Sequence, residues 1–419
     1  MRLTSVRTHL PVQLLGMAIS SLSSVAYADF IEDSNATLST TNIYFNRDFR
    51  DGEGQNKREE WGQGFLLDMH SGFTEGTVGM GVDAMGMLGI KLDSGGGRTG
   101  TDLLPVQDDG GTPDQFARLG LTAKFKVSAT ELRYGSHIPE LPVIKASTSH
   151  LLPQILEGGM LTSSEWSGLK LTGARFNRAV DRASTNAEKI ALNSKNKRYA
   201  GGITADHMNI AGAEYEFTKG INGSYYYADV QDIYRQHYFG LTTNHELGPG
   251  KFSSDLRLSL SKDSGSAKAG EVDNQALQAM FSYSLGGHKF GLGYQDMGGD
   301  TGFTYLDGSD PFLINFVQIN DFANAGERSW QARYDYDFSA LGIPGLSFMS
   351  RYLSGEDARI AGSDKRGSEW ERNSEIRYVV QSGPLKNVNI RLRNATFRSQ
   401  FARNADENRI IVGYSLPIW

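Results

Sequence analysis

Hydrophobic residues recur along most of this chain at every second position. Trp61, Gln63, Phe65, Leu67, Met69 and Phe73 share one parity, while Gly62, Gly64, Asp68 and His70 take the other. Val78, Met80, Val82, Ala84, Leu88, Ile90 and Leu92 repeat the pattern against Gly79, Gly81, Asp83, Gly89 and Lys91. Towards the C-terminus Trp330, Ala332, Tyr334, Tyr336 and Phe338 alternate with Gln331, Arg333, Asp335 and Asp337. Ile376, Tyr378 and Val380 oppose Glu375 and Arg377, and Val388, Ile390 and Leu392 oppose Asn389, Arg391 and Arg393. Ile410, Val412, Tyr414, Leu416 and Ile418 form the oily face of a last strand, with Trp419 on the opposite parity. A period of two belongs to β-strands with one apolar face.

A soluble sandwich shows the same alternation, so the connections must discriminate. Short ones near 74 to 76, 128 to 129, 218 to 220, 248 to 250, 286 to 287, 340 to 345 and 382 to 387 alternate with longer ones. The longer ones lie near 93 to 115, 138 to 157, 264 to 272, 298 to 327, 355 to 368 and 401 to 407. Short turns at one end and long loops at the other are the habit of outer-membrane barrels. Ala36 to Phe49 reads as the first strand, followed by a charged loop over residues 51 to 60. With Trp166-Ser-Gly as a short turn and 178 to 208 as an external loop with some weak strand of its own, the total is eighteen strands. Sixteen is the alternative. The predicted fold is all-β, a transmembrane antiparallel barrel.

One stretch breaks the period. From His137 to Gly159 the chain carries Pro139, Pro142 and Pro153, each lacking a backbone donor, so it cannot continue a ladder. It also carries Ile138, Leu141, Val143, Ile144, Leu151, Leu152, Ile155 and Leu156, which need something to bury against. This third long loop is expected to fold inward and narrow the lumen; a loop packed on the surface of an ordinary β protein is the plainer reading.

Composition supports a barrel and places it. Residues 1 to 28, from Met1-Arg2 through an apolar stretch to Ala26-Tyr27-Ala28, have the form of a secretory signal, leaving 29 to 419 as a single barrel domain. Without Arg2 and Arg7 the 42 basic residues become 40 against 48 acidic ones, a formal charge of −8. No later run reaches the roughly 18 apolar residues of a membrane helix, but a barrel escapes that test because only alternate residues meet lipid. Forty-nine glycines, 18 tyrosines and 21 phenylalanines suit tight turns and aromatic girdles, and cysteine is absent.

Eighteen strands enclose a lumen that water fills, which needs narrowing and charge to be selective. Arg333, Arg351, Arg377, Arg391 and Arg393 fall on inward parity along neighbouring strands, and Arg47 lies in the first strand, which closes beside the last. Guanidinium groups stay charged and pair bidentately with carboxylates, so a row of them could pass an anionic group from site to site. The alternative is that they only balance Asp335, Asp337, Glu371 and Glu375. In the 298 to 327 loop, Asp307 and Asp310 sit beside apolar residues and could face the arginines, holding a zwitterion at both ends; solvated loop aspartates are the bland reading. Tyr305 and Tyr134 are candidate aromatic contacts at the constriction. Seven scattered histidines after residue 28, no zinc spacing and no Gly-x-Ser-x-Gly elbow argue against an enzyme, a metal or a cofactor, although one Ser-His-carboxylate cluster is not excluded by spacing.

Several motifs together resemble the OprD family of outer-membrane carboxylate channels over essentially the whole chain after residue 28. They are Tyr44-Phe-Asn-Arg-Asp, Trp61-Gly-Gln-Gly-Phe, the run from Gly76 to Ala84, Leu141-Pro-Val, Leu151-Leu-Pro-Gln, Asp232-Ile-Tyr-Arg-Gln, Lys268-Ala-Gly, Ser329-Trp-Gln-Ala-Arg-Tyr-Asp and Tyr378-Val-Val-Gln-Ser-Gly-Pro. The resemblance implies an eighteen-stranded barrel in the outer membrane, with an inward third loop and an arginine ladder passing small carboxylates. Two departures stand out: Thr41 where members often have arginine, and Ser149-His150-Leu where they often have Ser-Arg-Leu. An intact ladder, and with it a basic amino-acid preference, is therefore not carried over, and His150 joins the candidate constriction residues. The expected function is facilitated diffusion of small carboxylates such as aromatic and organic acids, the alternatives being a porin for basic amino acids or small peptides, or a plugged structural or adhesive barrel. Expected partners are the carboxylate solutes, outer-membrane lipid and lipopolysaccharide, with no nucleic acid, and the chain as a monomer or weak trimer.

Overall fold

The computed structural model describes residues 30–360 and 363–419. The proposed secretory signal lies outside the described residues. Eighteen antiparallel strands form one sheet, each paired with its neighbour in the chain. The first, Asn35–Phe49, also pairs with the last, Ala405–Pro417, in an unbroken register from Thr37↔Pro417 to Phe49↔Ala405. That pairing closes a barrel and leaves no free edge.

Alternation decides the two faces. Phe281, Leu292, Trp330, Ile376 and Ile410 are exposed on the outer wall, and their strand neighbours Gln278, Gln295, Gln331, Asn373 and Arg409 are buried inside. The turns at 167–168, 219–220, 248–249 and 286–287 are two residues long because Gly168, Gly220, Gly248 and Gly286 take positive φ there (75°, 84°, 60° and 58°). The other end carries the long loops, except for 231–233, where Asp232 at φ 59° turns the chain in three residues.

Two expected loops are shorter than the sequence suggested. Strands Leu346–Arg359 and Arg366–Val379 pair out to Arg359↔Arg366 past a bulge between Gly355 and Ala358. Lys57 already pairs with Asp48, so the charged segment after 51 is half strand. In each case ladder hydrogen bonds continue through polar residues beyond the apolar band.

The proline-bearing segment leaves the wall only over 138–154, since Ile155 and Leu156 already pair with Val180 and Ala179. It does hold a small ladder of its own: Glu140–Leu141 pairs with Ile144–Ala146 across a turn at Pro142 and Val143. Ser309–Asp310 of the 299–327 loop adds a third strand, Ser309 opposite Ala146. Pro142 escapes the ladder by occupying the turn.

Apolar side chains of this segment are buried against the inner wall. Leu151, Leu152 and Ile155 pack with Ile43, Phe45, Met85, Met87, Phe116 and Ile411. Leu141, Val143, Ile144 and Ala146 pack with Phe176, Met208, Tyr226 and Tyr234, joined by Ile190 and Leu192 of the 181–207 loop and Leu306 of the 299–327 loop. With Leu103 and Leu104 of the 94–114 loop in the first cluster, four loops enter the barrel and build its hydrophobic core. The expectation of a weak strand within 178 to 208 matches the pairing of Ile190–Ala191 with Thr204–Ala205.

Candidate functional site

The inward loops meet the wall through polar contacts. Arg118 donates to the backbone carbonyls of Pro153 and Asp181, and to that of Ser184 at 3.1 Å. Glu371 accepts from the backbone N–H groups of Ile319 and Asn320 at 3.0 and 2.9 Å, and Glu407 accepts from Gln318 Nε2 at 3.0 Å. Arg198 grips Asp321 bidentately, both side chains being buried. Wall side chains thus supply partners that loop backbone would otherwise find in water.

The expected arginines lie on the inner wall and form cross-strand rungs. Arg333 is opposite Arg351, Arg377 opposite Arg391, and Arg393 opposite Arg409. Arg47 is opposite Arg58. The row is continuous but partnered. Arg333 binds Asp335 through two bonds of 2.7 Å, and Glu375 takes Arg391 at 2.8 Å and Arg393 at 3.2 Å. Glu407 takes Arg47 at 2.5 Å and Arg409 at 2.6 Å. Arg351 and Arg377 donate only to neutral amides, Asn373 at 2.8 Å and Asn389 at 3.1 Å. Acidic partners thus balance most of the row, and Asp337 is not among them because its carboxylate caps Ser339 in a short-end turn.

Loop groups stand at the top of this row. Arg182 reaches Asp102 at 2.9 Å, Ser147 Oγ at 3.1 Å and His150 Nδ1 at 3.3 Å. Lys195 reaches Asp102 at 3.1 Å and Asp307 at 3.6 Å. Burial pulls the Asp102 carboxyl up, but Lys195 and Arg182 outweigh it and hold it below its usual value. Burial pushes Asp310 up, against a hydrogen bond from Ser147 and the charges of Arg182, Lys145 and Arg409. Asp310 pairs with Lys145 of the 138–154 loop, and Asp307 lies beside Lys195 of the 181–207 loop.

Two aromatic expectations are corrected. Tyr134 is 64% exposed on the outer wall beside Leu132, because its parity in strand Thr130–His137 faces away from the lumen. Tyr305 enters with its loop but is committed to internal packing, with Phe303 nearby and its hydroxyl donating to Asp321 at 3.3 Å. Arg58, Arg118 and Arg409 were legible by parity and were missed; Arg182, Lys195 and Asp102 sit in loops without periodicity, where no signal marked them. Below the loops, towards the short-turn end, a cavity of about 650 Å³ opens between Glu140, Pro142 and Phe312 and the wall residues Glu214, Thr242 and Arg257.

Comparison with known proteins agrees with the barrel. The family model described as outer membrane porin, OprD family, matches residues 28–418. Porin-like protein GalP of Pseudomonas putida is 40% identical over 418 residues, covering 98% of this chain and 99% of GalP. Among solved structures, Pseudomonas aeruginosa OccK5 (OpdH) is 53% identical with a TM-score of 0.85, covering 94% of this chain and all of that one. The structure of Pseudomonas aeruginosa OpdK with vanillate is 40% identical with a TM-score of 0.88, covering 93% of this chain and all of OpdK. These relatives are porins of the Gram-negative outer membrane, channels and not enzymes. With the closed barrel, the loops that enter it and a match from residue 28 to residue 418, this chain belongs to the OprD family of outer membrane porins.

Proposed function

We propose that this porin passes small carboxylate solutes, aromatic and other organic acids, by facilitated diffusion along its inner arginines. The observation that carries the reading is the continuous register of inward guanidiniums from Arg377 and Arg391, through Arg393 and Arg409, to Arg47 and Arg58, with Arg333 and Arg351 alongside. Arg182 and His150 add a loop-borne extension at the opening. A carboxylate can replace Glu375 or Glu407 on one arginine while its neighbour offers the next pair of donors. The presence of vanillate, a carboxylate, with the relative OpdK supports the same class.

A second reading has its own support: Asp307 and Asp310 stand across from the cations, so an ammonium group on the same solute would also find a partner. Purified protein in a planar bilayer is expected to give small discrete steps that benzoate reduces in a concentration-dependent way, and lysine less so. Replacing Arg393 and Arg409 by Ala should weaken the benzoate effect about tenfold. An unchanged benzoate response would assign the arginines to charge balance alone, and absence of any steps would favour a plugged barrel.

A further inference from the structure

His150 differs from the rest of the cationic track in being able to lose its charge. It lies in the 138–154 loop, part-buried, with its ring against Arg182 of the 181–207 loop. Nδ1 accepts from Arg182 Nη1 at 3.3 Å and faces Ser149 Oγ at 3.0 Å. A guanidinium only donates, so Nδ1 must hold a lone pair, and the ring is then neutral with its proton on Nε2.

We infer that His150 is a titratable selectivity residue of the constriction, positioning Arg182 while neutral and adding a cation to the opening once protonated. This rests on the proposed carboxylate track for its physiological meaning, but its electrostatics do not. Protonation turns Nδ1 from acceptor into donor, so the bond to Arg182 is lost. Arg182 then keeps only Asp102 and Ser147 as partners.

Charged groups near the ring come from several elements, including Glu60 of strand Lys57–His70, which accepts from the Thr101 backbone N–H at 3.0 Å. Arg182 and Lys195 belong to the 181–207 loop, Arg409 to the last strand, Asp102 to the 94–114 loop and Asp310 to the 299–327 loop. Burial first, then Arg182 and Arg409, hold the imidazole well below its ordinary value, so the ring is neutral at neutral pH. A carboxylate seated between Arg182 and Arg409 cancels part of that repulsion. By linkage, carboxylate binding and protonation of His150 then favour each other. An arginine at this position would keep its charge at every pH and could show no such coupling.

The test is the reversal potential in a KCl gradient across a bilayer, from about pH 7.5 to about pH 4, for the wild type, His150→Gln and His150→Arg. The wild-type anion preference should rise about threefold as the pH falls. His150→Gln should lose most of that rise, the remainder belonging to Asp310 and the other carboxylates, and His150→Arg should show the low-pH preference already at neutral pH. A flat wild-type profile, or a His150→Gln profile that copies the wild type, overturns the inference. Benzoate added to the same channels separates the two readings. If benzoate affects none of them at any pH, the carboxylate track fails, while the KCl profiles still decide the role of His150.

Discussion

The seat of the constriction loop can be tested with two glycines one pleat apart. Gly62 and Gly64 face inward on strand Lys57–His70, and both lie against Leu151. A β-carbon at Gly64 would overlap the Leu151 carbonyl oxygen and stand 3.0 Å from its carbon, where ordinary contact begins at 3.4 Å. One at Gly62 would overlap only Leu151 Cδ1, the free end of a side chain that can change rotamer. Gly64→Ala must therefore push backbone, by about 1 Å, at a cost of about 1–3 kcal/mol typical of overpacking. Because the wall stands behind, the loop can only move towards the axis. In an opening a few ångströms in radius, about 1 Å lost from one side removes roughly a fifth to a third of the cross-section. Single-channel conductance should fall by that fraction in Gly64→Ala and stay within roughly a tenth of wild type in Gly62→Ala. Equal conductance in both variants, or a larger fall in Gly62→Ala, would refute the placement of the loop.

Two other predictions concern what holds the loops. Arg118→Leu leaves the carbonyls of Pro153, Asp181 and Ser184 without their donor; at about 1.5–3 kcal/mol for each charged hydrogen bond, the loop should be released, giving larger and noisier conductance steps and faster protease cleavage near 150, and unchanged noise would deny Arg118 that role. Glu327, at the base of the 299–327 loop, is pushed up to about 7 by burial and shares the amide of Asn324 with Glu369. Its carboxyl pKa is raised on folding, so the anchoring it supports is complete below the ordinary carboxyl range, fades as pH rises, and is lost by about 7. Glu327→Gln should remove this loss, seen as protease resistance of the loop that no longer declines between about pH 4.5 and about pH 7; a decline matching wild type would place the titration elsewhere.

What was legible in the sequence follows from what has a period. The lipid-facing and luminal sides of strand Ala405–Pro417 can be read off Ile410, Val412 and Tyr414 against Arg409 and Ile411, and connection lengths supply the strand count. Tyr134 was misplaced for want of that bookkeeping, since Leu132 two residues earlier already marks its face as outward. The inward loop was legible for a different reason. Apolar residues between prolines have no strand face to occupy, so they must bury against something else, and Leu151 and Leu152 do so against Phe45 and Met87. Loop against loop has neither period nor sequence proximity: nothing in Ser147 or Asp102 announces that both will meet Arg182, because that meeting depends on how three separate loops stack inside the wall.

The pairing of the arginines bears directly on how such a channel could work. A row of unpartnered guanidiniums in a narrow, partly dried lumen would hold a carboxylate too firmly to release it, and conduction needs each site to be strong enough to enter and weak enough to leave. Glu375, shared between Arg391 and Arg393, and Glu407, shared between Arg47 and Arg409, act as resident competitors for the same donors. On the proposed reading a solute gains only the difference between its own pairing and theirs, which flattens the track. Replacing Glu375 by Gln should then deepen the site it leaves. Benzoate should block at lower concentration, by roughly threefold to tenfold, while its net flux falls in a liposome-swelling assay. If flux and affinity rise together, the acidic partners are obstacles, and the track owes its speed to something other than competition.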